Sequence, residues 1–227
     1  MKNIILITFL FCMSISCRSQ TRKNDIATQK KDTMEYFDMS KYKDWKTDPE
    51  ISSPGNYISP DGDKVQVVTQ SGGKGFVEKT KRTGTPYSIV KTFHPNKRLK
   101  IKGQDFYSVH YGKWKFYDKS GDLIEEKDED KPYKFSVKDL INKFKNEYKV
   151  DLENPSNVIN ISRYEEKEHL SRPLYEVVLK TDKFYEFKEY LLEGNSGKIL
   201  FEDVITEGEY GKPLLNRYLD SIKNNKQ

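Results

Sequence analysis

The sequence predicts an α+β fold: an antiparallel hairpin sheet, then a helix with an antiparallel meander, and finally a C-terminal helix. Three patterns support this class. Short apolar segments alternate with turn-forming residues between residues 57 and 131, which is typical of β-hairpins. Apolar residues recur at helical spacing after Ser136, and strand-like segments follow them. A second helical pattern begins at Pro213, so helices and strands are expected to share the C-terminal half.

The N-terminus has the layout of a secretory signal peptide. Lys2 gives it a positive start, residues 4–13 are apolar, and small residues lead to Cys17. A run of about 10 apolar residues is too short to cross a hydrocarbon core of about 30 Å, which takes about 20. We therefore predict that residues 1–16 are removed and do not remain as a transmembrane helix.

The residues before Cys17, Ser14-Ile15-Ser16, resemble the lipobox of bacterial lipoproteins. In that family the cysteine is acylated and becomes the first residue of the mature chain. The third residue before the cysteine is usually leucine, whereas it is Ser14 here, so an ordinary cleaved signal is the alternative. The resemblance implies a lipid on Cys17 and a membrane-anchored location in the bacterial cell envelope, on the outer membrane or its periplasmic face.

Composition excludes several classes of function. The formal net charge is +5, but basic and acidic residues alternate, so no stripe for nucleic acid is expected. Cys12 lies in the predicted signal, which leaves Cys17 as the one cysteine of the mature chain. The mature chain can therefore form no internal disulfide and carry out no thiol redox chemistry.

The chain is divided by composition into a signal peptide and three further parts. Residues 17 to 46 are mostly polar and are predicted to be a lipidated N-terminus with a flexible tether. A charged stretch, EEKDEDK, ends near residue 131 and is the expected boundary between two domains. The predicted parts are 1–16 (signal peptide), 17–46 (tether), 47–131 (antiparallel β repeat-like domain) and 132–227 (α+β domain with a C-terminal helix).

The β domain contains a hairpin and then a weak repeat. The segments 64–69 and 76–80 flank a glycine-rich turn, which predicts the hairpin. With an offset of 24 residues, 93–99 aligns with 117–123: each copy has an aromatic residue, a turn and a leucine. One hairpin per copy is expected.

The second copy with the residues before it, YGKWKFYDKSGDL at 111–123, resembles the variant MORN repeat with its Gly-x-Trp-x-x-Tyr-Asp pattern. The resemblance covers about residues 87–130, and Lys97 stands where the turn glycine of the first copy belongs. It implies an open sheet of consecutive hairpins and interaction with proteins or membranes. It implies no catalysis.

Four aromatic residues of this region are predicted to form a possible binding surface: Tyr107, Tyr111, Trp114 and Tyr117. Because side chains alternate along a strand, Trp114 and Phe116 are expected on one face. That face could bind a glycan or a partner strand. The alternative is that Trp114 and Phe116 pack in the core, since a small sheet needs one buried face.

The last part begins with a helix that Ser136 can cap, with Asp139 three residues later. Four strand-like segments follow, at 158–164, 174–179, 185–192 and 198–204. This order, together with YEVVL at 175–179 and SGKIL at 196–200, resembles a PepSY-like domain over about residues 134–205. The resemblance implies an exported, non-catalytic module that binds or inhibits partners such as proteases.

Two short sites resemble an O-glycosylation acceptor of exported proteins in some Gram-negative phyla. They are Asp32-Thr33-Met34 and Asp220-Ser221-Ile222. If they are used, Thr33 or Ser221 would carry a sugar.

Catalytic motifs are missing from the sequence. The three histidines, His94, His110 and His169, do not have metal-ligand spacing, and no Gly-x-Ser-x-Gly elbow is present. We predict no enzymatic activity, no cofactor and no metal. The leading hypothesis is a membrane-anchored protein-binding module, an inhibitor or a toxin-immunity protein. The alternatives are a structural, assembly or glycan-binding lipoprotein and, third, a hydrolase that uses a carboxylate pair.

Overall fold

In the computed structural model, the described residues are 34–51, 53–206 and 211–224. They form twelve strands in two antiparallel sheets. The α-helices among them are α1 (Val137–Lys143) and α2 (Leu214–Asn224). The antiparallel sheets and the C-terminal helix agree with the prediction. The fold is largely β, however, and not the clear α+β class that the sequence predicts, because even the C-terminal half has four strands of 8 or 9 residues each, against α-helices of 7 and 11 residues.

The first sheet has eight strands in chain order, so each strand pairs with its neighbours in sequence. The glycine-rich turn predicted between 69 and 76 joins the third and fourth strands, and Gly72 there has a φ of 70°. The strands are β1 (Lys46–Thr47), β2 (Asn56–Ile58), β3 (Lys64–Gln70), β4 (Gly75–Lys81), β5 (Tyr87–Phe93), β6 (Leu99–Phe106), β7 (Val109–Tyr117) and β8 (Leu123–Asp128).

The two aligned segments form two matching hairpin turns. Phe93 pairs with Leu99 across the first turn, and 24 residues later Tyr117 pairs with Leu123 across the second. Lys97 has a φ of 67° at the position where the second turn has Gly121 with a φ of 91°. The lysine therefore adopts a left-handed conformation that glycine adopts without steric cost.

The second sheet is a meander of four strands in the order β12-β11-β10-β9. The Ser136 hydroxyl accepts a hydrogen bond from the Asp139 N–H, and the Asp139 carboxylate accepts one from the Ser136 N–H. This capping box starts α1, as predicted. The strands are β9 (Val158–Glu166), β10 (Arg172–Lys180), β11 (Glu186–Glu193) and β12 (Ile199–Thr206).

The two sheets share a hydrophobic core. Phe106 and Val109 of the first sheet pack in one cluster with Leu140 of α1, with Phe144 directly after it, and with Val177 of the second sheet. Arg163 of β9 ties the sheets further, because its guanidinium donates to the carbonyl oxygens of residues 110 and 129. The predicted boundary at residue 131 lies between β8 and α1, and the sheets on either side of it contribute to this one core.

The folded part of the chain begins earlier than the tether prediction of 17–46 implies. Phe37 and Tyr42 are buried in a second cluster on the first sheet, with Val65 and Phe93. These aromatic side chains supply the apolar surface that packs this segment on the sheet. The signal peptide, Cys17, Thr33 and the rest of residues 1–33 lie outside the described residues. Within the described part of the chain, each helix is too short or too polar to cross a membrane.

Candidate binding groove

The candidate site is a groove across the first sheet, on the face that also holds Phe37 and Tyr42. Its floor is a row of four side chains that lie opposite each other on neighbouring strands: Thr80, Ile89, Gln104 and Tyr111. Adjacent strands are about 4.8 Å apart, so the row is about 14 Å long and runs across β4 to β7. Register alone therefore assembles the floor from four separate segments of the chain.

One wall of the groove is charged. The next row on the same face consists of Glu78, Lys91, Lys102 and Lys115, which pair in that order across β4 to β7. Glu35, in the segment before β1, forms ion pairs with Lys91 and Lys102. This wall is therefore one carboxylate followed by three lysines, and Glu35 of the N-terminal segment pairs with two of those lysines.

The other wall is aromatic and continues into the shared core. Tyr87 lies opposite Phe106, and Phe106 lies opposite Val109, on the side of the floor row that faces the second sheet. The Tyr87 hydroxyl donates to the Glu153 carboxylate over 2.8 Å. Burial and the bond to Glu153 raise the pKa of Tyr87, so its ring remains neutral.

The groove has a volume of about 330 Å³ and mixes apolar with hydrogen-bonding groups. Ile89 is 41% exposed at its floor, and the rings of Tyr87 and Tyr111 lie 6.1 Å apart in an edge arrangement. Asp63 and Arg82 bring charges of both signs. Its lining residues are Asp63, Thr80, Arg82, Tyr87, Ser88, Ile89, Gln104 and Tyr111. Such a lining fits a ligand held by apolar contact and oriented by a few polar groups.

The structure separates the four predicted surface residues. Tyr111 lines the groove, whereas the Tyr107 hydroxyl donates to the carbonyl oxygen of Leu152 at the contact with the second sheet. Trp114 is 6% exposed, lies over Gly103 and is accessible to no large ligand. Tyr117 is buried in the cluster around Phe37. The position of Trp114 agrees with the alternative interpretation, core packing.

Of the residues that line the groove, the sequence predicts only Tyr111 as a binding residue. Tyr87 and Ile89 begin the region that resembles MORN repeats, but nothing in that region shows which side chains lie beside Gln104 or Tyr111. The alternation of apolar and polar residues along β5 was the one available signal, and it distinguishes faces without identifying neighbours.

The three histidines have structural partners. His94 contacts the carbonyl oxygen of Tyr117, and His169 lies beside the carboxylate of Glu166. His110 bonds to the buried carboxylate of Asp105. Burial alone would raise the pKa of Asp105, but hydrogen bonds from His110 and from Lys79 lower it. In the described ranges, no group of three or more His, Cys, Asp or Glu side chains is arranged to hold a metal ion.

The second O-glycosylation candidate, Ser221, lies in α2. Its hydroxyl donates to the carbonyl oxygen of Tyr218 over 2.7 Å. Glycosylation of this serine stays a prediction.

No protein family, curated protein or solved structure matches the chain.

Proposed function

We propose that the protein is a non-enzymatic lipoprotein of the bacterial cell envelope, anchored to the membrane through Cys17, and that it binds a protein partner in the groove. It would act as an inhibitor or a toxin-immunity protein. The observation that carries the binding proposal is the groove itself: an exposed isoleucine and the Tyr111 ring lie between a charged wall and an aromatic wall that includes Tyr87. Exposed aliphatic and aromatic groups in a concave site are typical of partner binding.

The family resemblances of the two sheets are part of the same proposal. The first sheet would be a MORN-like array of consecutive hairpins, and residues 134–205 a PepSY-like module. Two matching hairpin turns at an offset of 24 residues support the first likeness. A capped helix followed by a four-stranded meander supports the second.

The dimensions of the groove favour a short peptide segment as the part of the partner that binds. A floor of about 14 Å matches four residues of extended chain at about 3.4 Å each. Ile89 would contact an apolar side chain, and Asp63, Arg82 and Gln104 would supply hydrogen bonds to the peptide backbone. Because Asp63 and Arg82 have opposite charges, the site does not require a strongly charged partner.

The binding proposal can be tested by site-specific photocrosslinking in the native envelope. A photoreactive residue at Ile89 should give one crosslinked protein species, and the same residue at Leu123 should not. Leu123 is a matched control, because it is 53% exposed on β8, away from the groove. Tyr111→Ala should reduce the crosslink from position 89. Equal crosslinking from both positions, or none from position 89, would contradict a protein-binding groove.

The anchor is tested separately by mass spectrometry of the mature N-terminus. We expect an acylated Cys17 as the first residue. An unmodified Cys17, or a mature chain that begins elsewhere, would refute the lipoprotein assignment and leave the groove experiment unaffected.

A second candidate function is glycan binding, which the combination of aromatic and polar side chains in the same lining favours. Tyr87 and Tyr111 present aromatic rings beside the polar side chains of Asp63, Arg82 and Gln104. Sugars stack on such rings and bond to such groups. A glycan array probed with the wild type and with Tyr111→Ala distinguishes the two candidates. If the wild type binds an envelope oligosaccharide and Tyr111→Ala does not, glycan binding is supported. If the wild type binds no glycan on the array, glycan binding is excluded.

A further inference from the structure

The turn between β10 and β11 exposes two large aromatic side chains. Phe184 is 84% exposed and Tyr185 is 55% exposed, and their ring centroids are 4.0 Å apart. Residues of this size are normally much more buried. Among the described residues, neither ring belongs to any of the three hydrophobic clusters. Packing within this chain therefore does not explain why both rings are present at the tip.

The backbone and side chains of the turn hold the two rings outward. Tyr185 has a φ of 63°, a left-handed conformation that residues with a side chain rarely adopt. The Thr181 hydroxyl bonds to the carbonyl oxygen of Glu186 and accepts from the N–H of Lys183. Lys183 also forms an ion pair with Glu186 over 3.0 Å. The tip is thus a braced turn that holds both rings in exposed positions.

Two further exposed apolar residues lie at the same end of the second sheet. Val204 is 49% exposed and pairs with Lys188, two residues after β11 begins. Ile159 is 45% exposed and lies beside the pairing of Val158 with Leu179, near the end of β10. The outer strands β9 and β12 therefore also expose one apolar side chain each at this end of the sheet.

The side chains around the rings are of a kind that suits a lipid surface, although they add no net charge. Lys180 and Lys183 flank the rings, and Asp182 and Glu186 make the turn formally neutral. Lysine side chains can place their ammonium groups among lipid headgroups while their methylene chains stay with apolar material. Phenylalanine and tyrosine at a convex tip suit the interfacial zone of a bilayer, which adapts to a protrusion, whereas a protein partner needs a matching pocket.

We propose that the β10–β11 turn inserts Phe184 and Tyr185 into the interface of a phospholipid membrane and so orients the protein on that membrane. The physiological role rests on the membrane location in the proposed function. The lipid on Cys17 would attach the chain, and the turn would add a second contact that fixes which side of the molecule faces the lipid.

The insertion is tested on the chain without its acyl group, residues 18–227, so that the turn alone accounts for binding. Phe184→Trp is mixed with vesicles of phosphatidylethanolamine and phosphatidylglycerol. We expect a blue shift of the added indole fluorescence and quenching by brominated acyl chains, after subtraction of the signal from Trp45 and Trp114. The matched control is Tyr36→Trp, since Tyr36 is 57% exposed in the segment before β1, far from the turn in sequence. Tryptophan at position 36 should show neither effect.

A second measurement is vesicle co-sedimentation of unlabelled variants. Phe184→Ala should lower the partition coefficient about tenfold, as expected when one buried aromatic ring is lost. Leu123→Ala should leave it unchanged. Both side chains are exposed, so far-UV circular dichroism should confirm that the variants fold.

Absence of quenching at position 184, or equal partition of Phe184→Ala and wild type, would overturn the proposal and would leave a protein pocket as the partner of this turn. The result is independent of acylation. An unmodified Cys17 in the native protein refutes the lipoprotein assignment without changing the vesicle result.

Discussion

Replacement of Trp114 by alanine should lower the free energy of unfolding by about 3–5 kcal/mol, the range for a large aromatic side chain removed from a packed interior. The indole is 6% exposed, lies over Gly103, and has its ring centroid 4.0 Å from that of His110. Alanine would fill little of this volume. The lost apolar contact and the remaining cavity therefore both contribute to the loss.

Gly103 provides a check on this magnitude. A Cβ atom at position 103 would overlap the indole ring, so Gly103→Ala alone should cost about 1–3 kcal/mol through overpacking. In a chain that already carries Trp114→Ala, the space above position 103 is open and the same change should be almost neutral. The double-mutant cycle should then give a coupling energy of at least about 1 kcal/mol.

The measurement is urea denaturation followed by far-UV circular dichroism, which does not depend on the deleted indole. Tyr111→Ala is the control, because Tyr111 is partly exposed in the groove and its removal should cost clearly less. If Trp114→Ala costs less than about 1 kcal/mol and the cycle is additive, the indole does not pack as described. Trp114 would then become available again as a binding residue.

Three further predictions concern other parts of the structure. Burial alone would raise the pKa of Glu166, but the backbone N–H groups of residues 168–170 outweigh it and lower the pKa from 4.5 to about 2. The stability that this carboxylate contributes should be complete above pH 4.5 and decline as the pH falls towards 2. In Glu166→Gln, the urea midpoint should depend less on pH over this range. An unchanged pH dependence would contradict this role. Arg217→Ala removes the ion pairs of α2 with Glu189 and Asp203 and should cost about 1–3 kcal/mol, with faster hydrogen exchange in α2 as the specific readout. Unchanged exchange would show that apolar packing alone holds the helix. Lys97→Gly should raise the free energy of unfolding by about 1 kcal/mol by relieving the left-handed backbone, and a loss of stability on thermal denaturation would refute this.

Local elements were predictable because their signals are local. Ser136 and Asp139 are three residues apart, so the capping box that starts α1 is visible in the sequence. The 24-residue offset located both hairpin turns, since turn residues act over only a few positions. The four strand-like segments after α1 correspond to β9–β12, with bounds that differ by at most two residues.

The class and the extent of the folded region were harder to predict. The sequence pattern did not reveal that residues 34–46 pack on the first sheet, because Phe37 and Tyr42 are separated by polar residues and show no period. Their burial depends on Val65 and Phe93, which are distant in the sequence. Long-range packing of this kind leaves no local signature.

The sequence by itself was enough to predict the hairpins, the capped helix and the order of the strands. It also predicts an exported chain whose mature form has one cysteine. Only the tertiary structure decided which residues line the candidate groove. Thr80, Ile89, Gln104 and Tyr111 become neighbours through the register of four strands, and Trp114 is buried on the opposite face because it lies over Gly103. The physical reason is that turn and helix propensities act within a few residues, whereas a groove depends on which distant segments pair and what covers them.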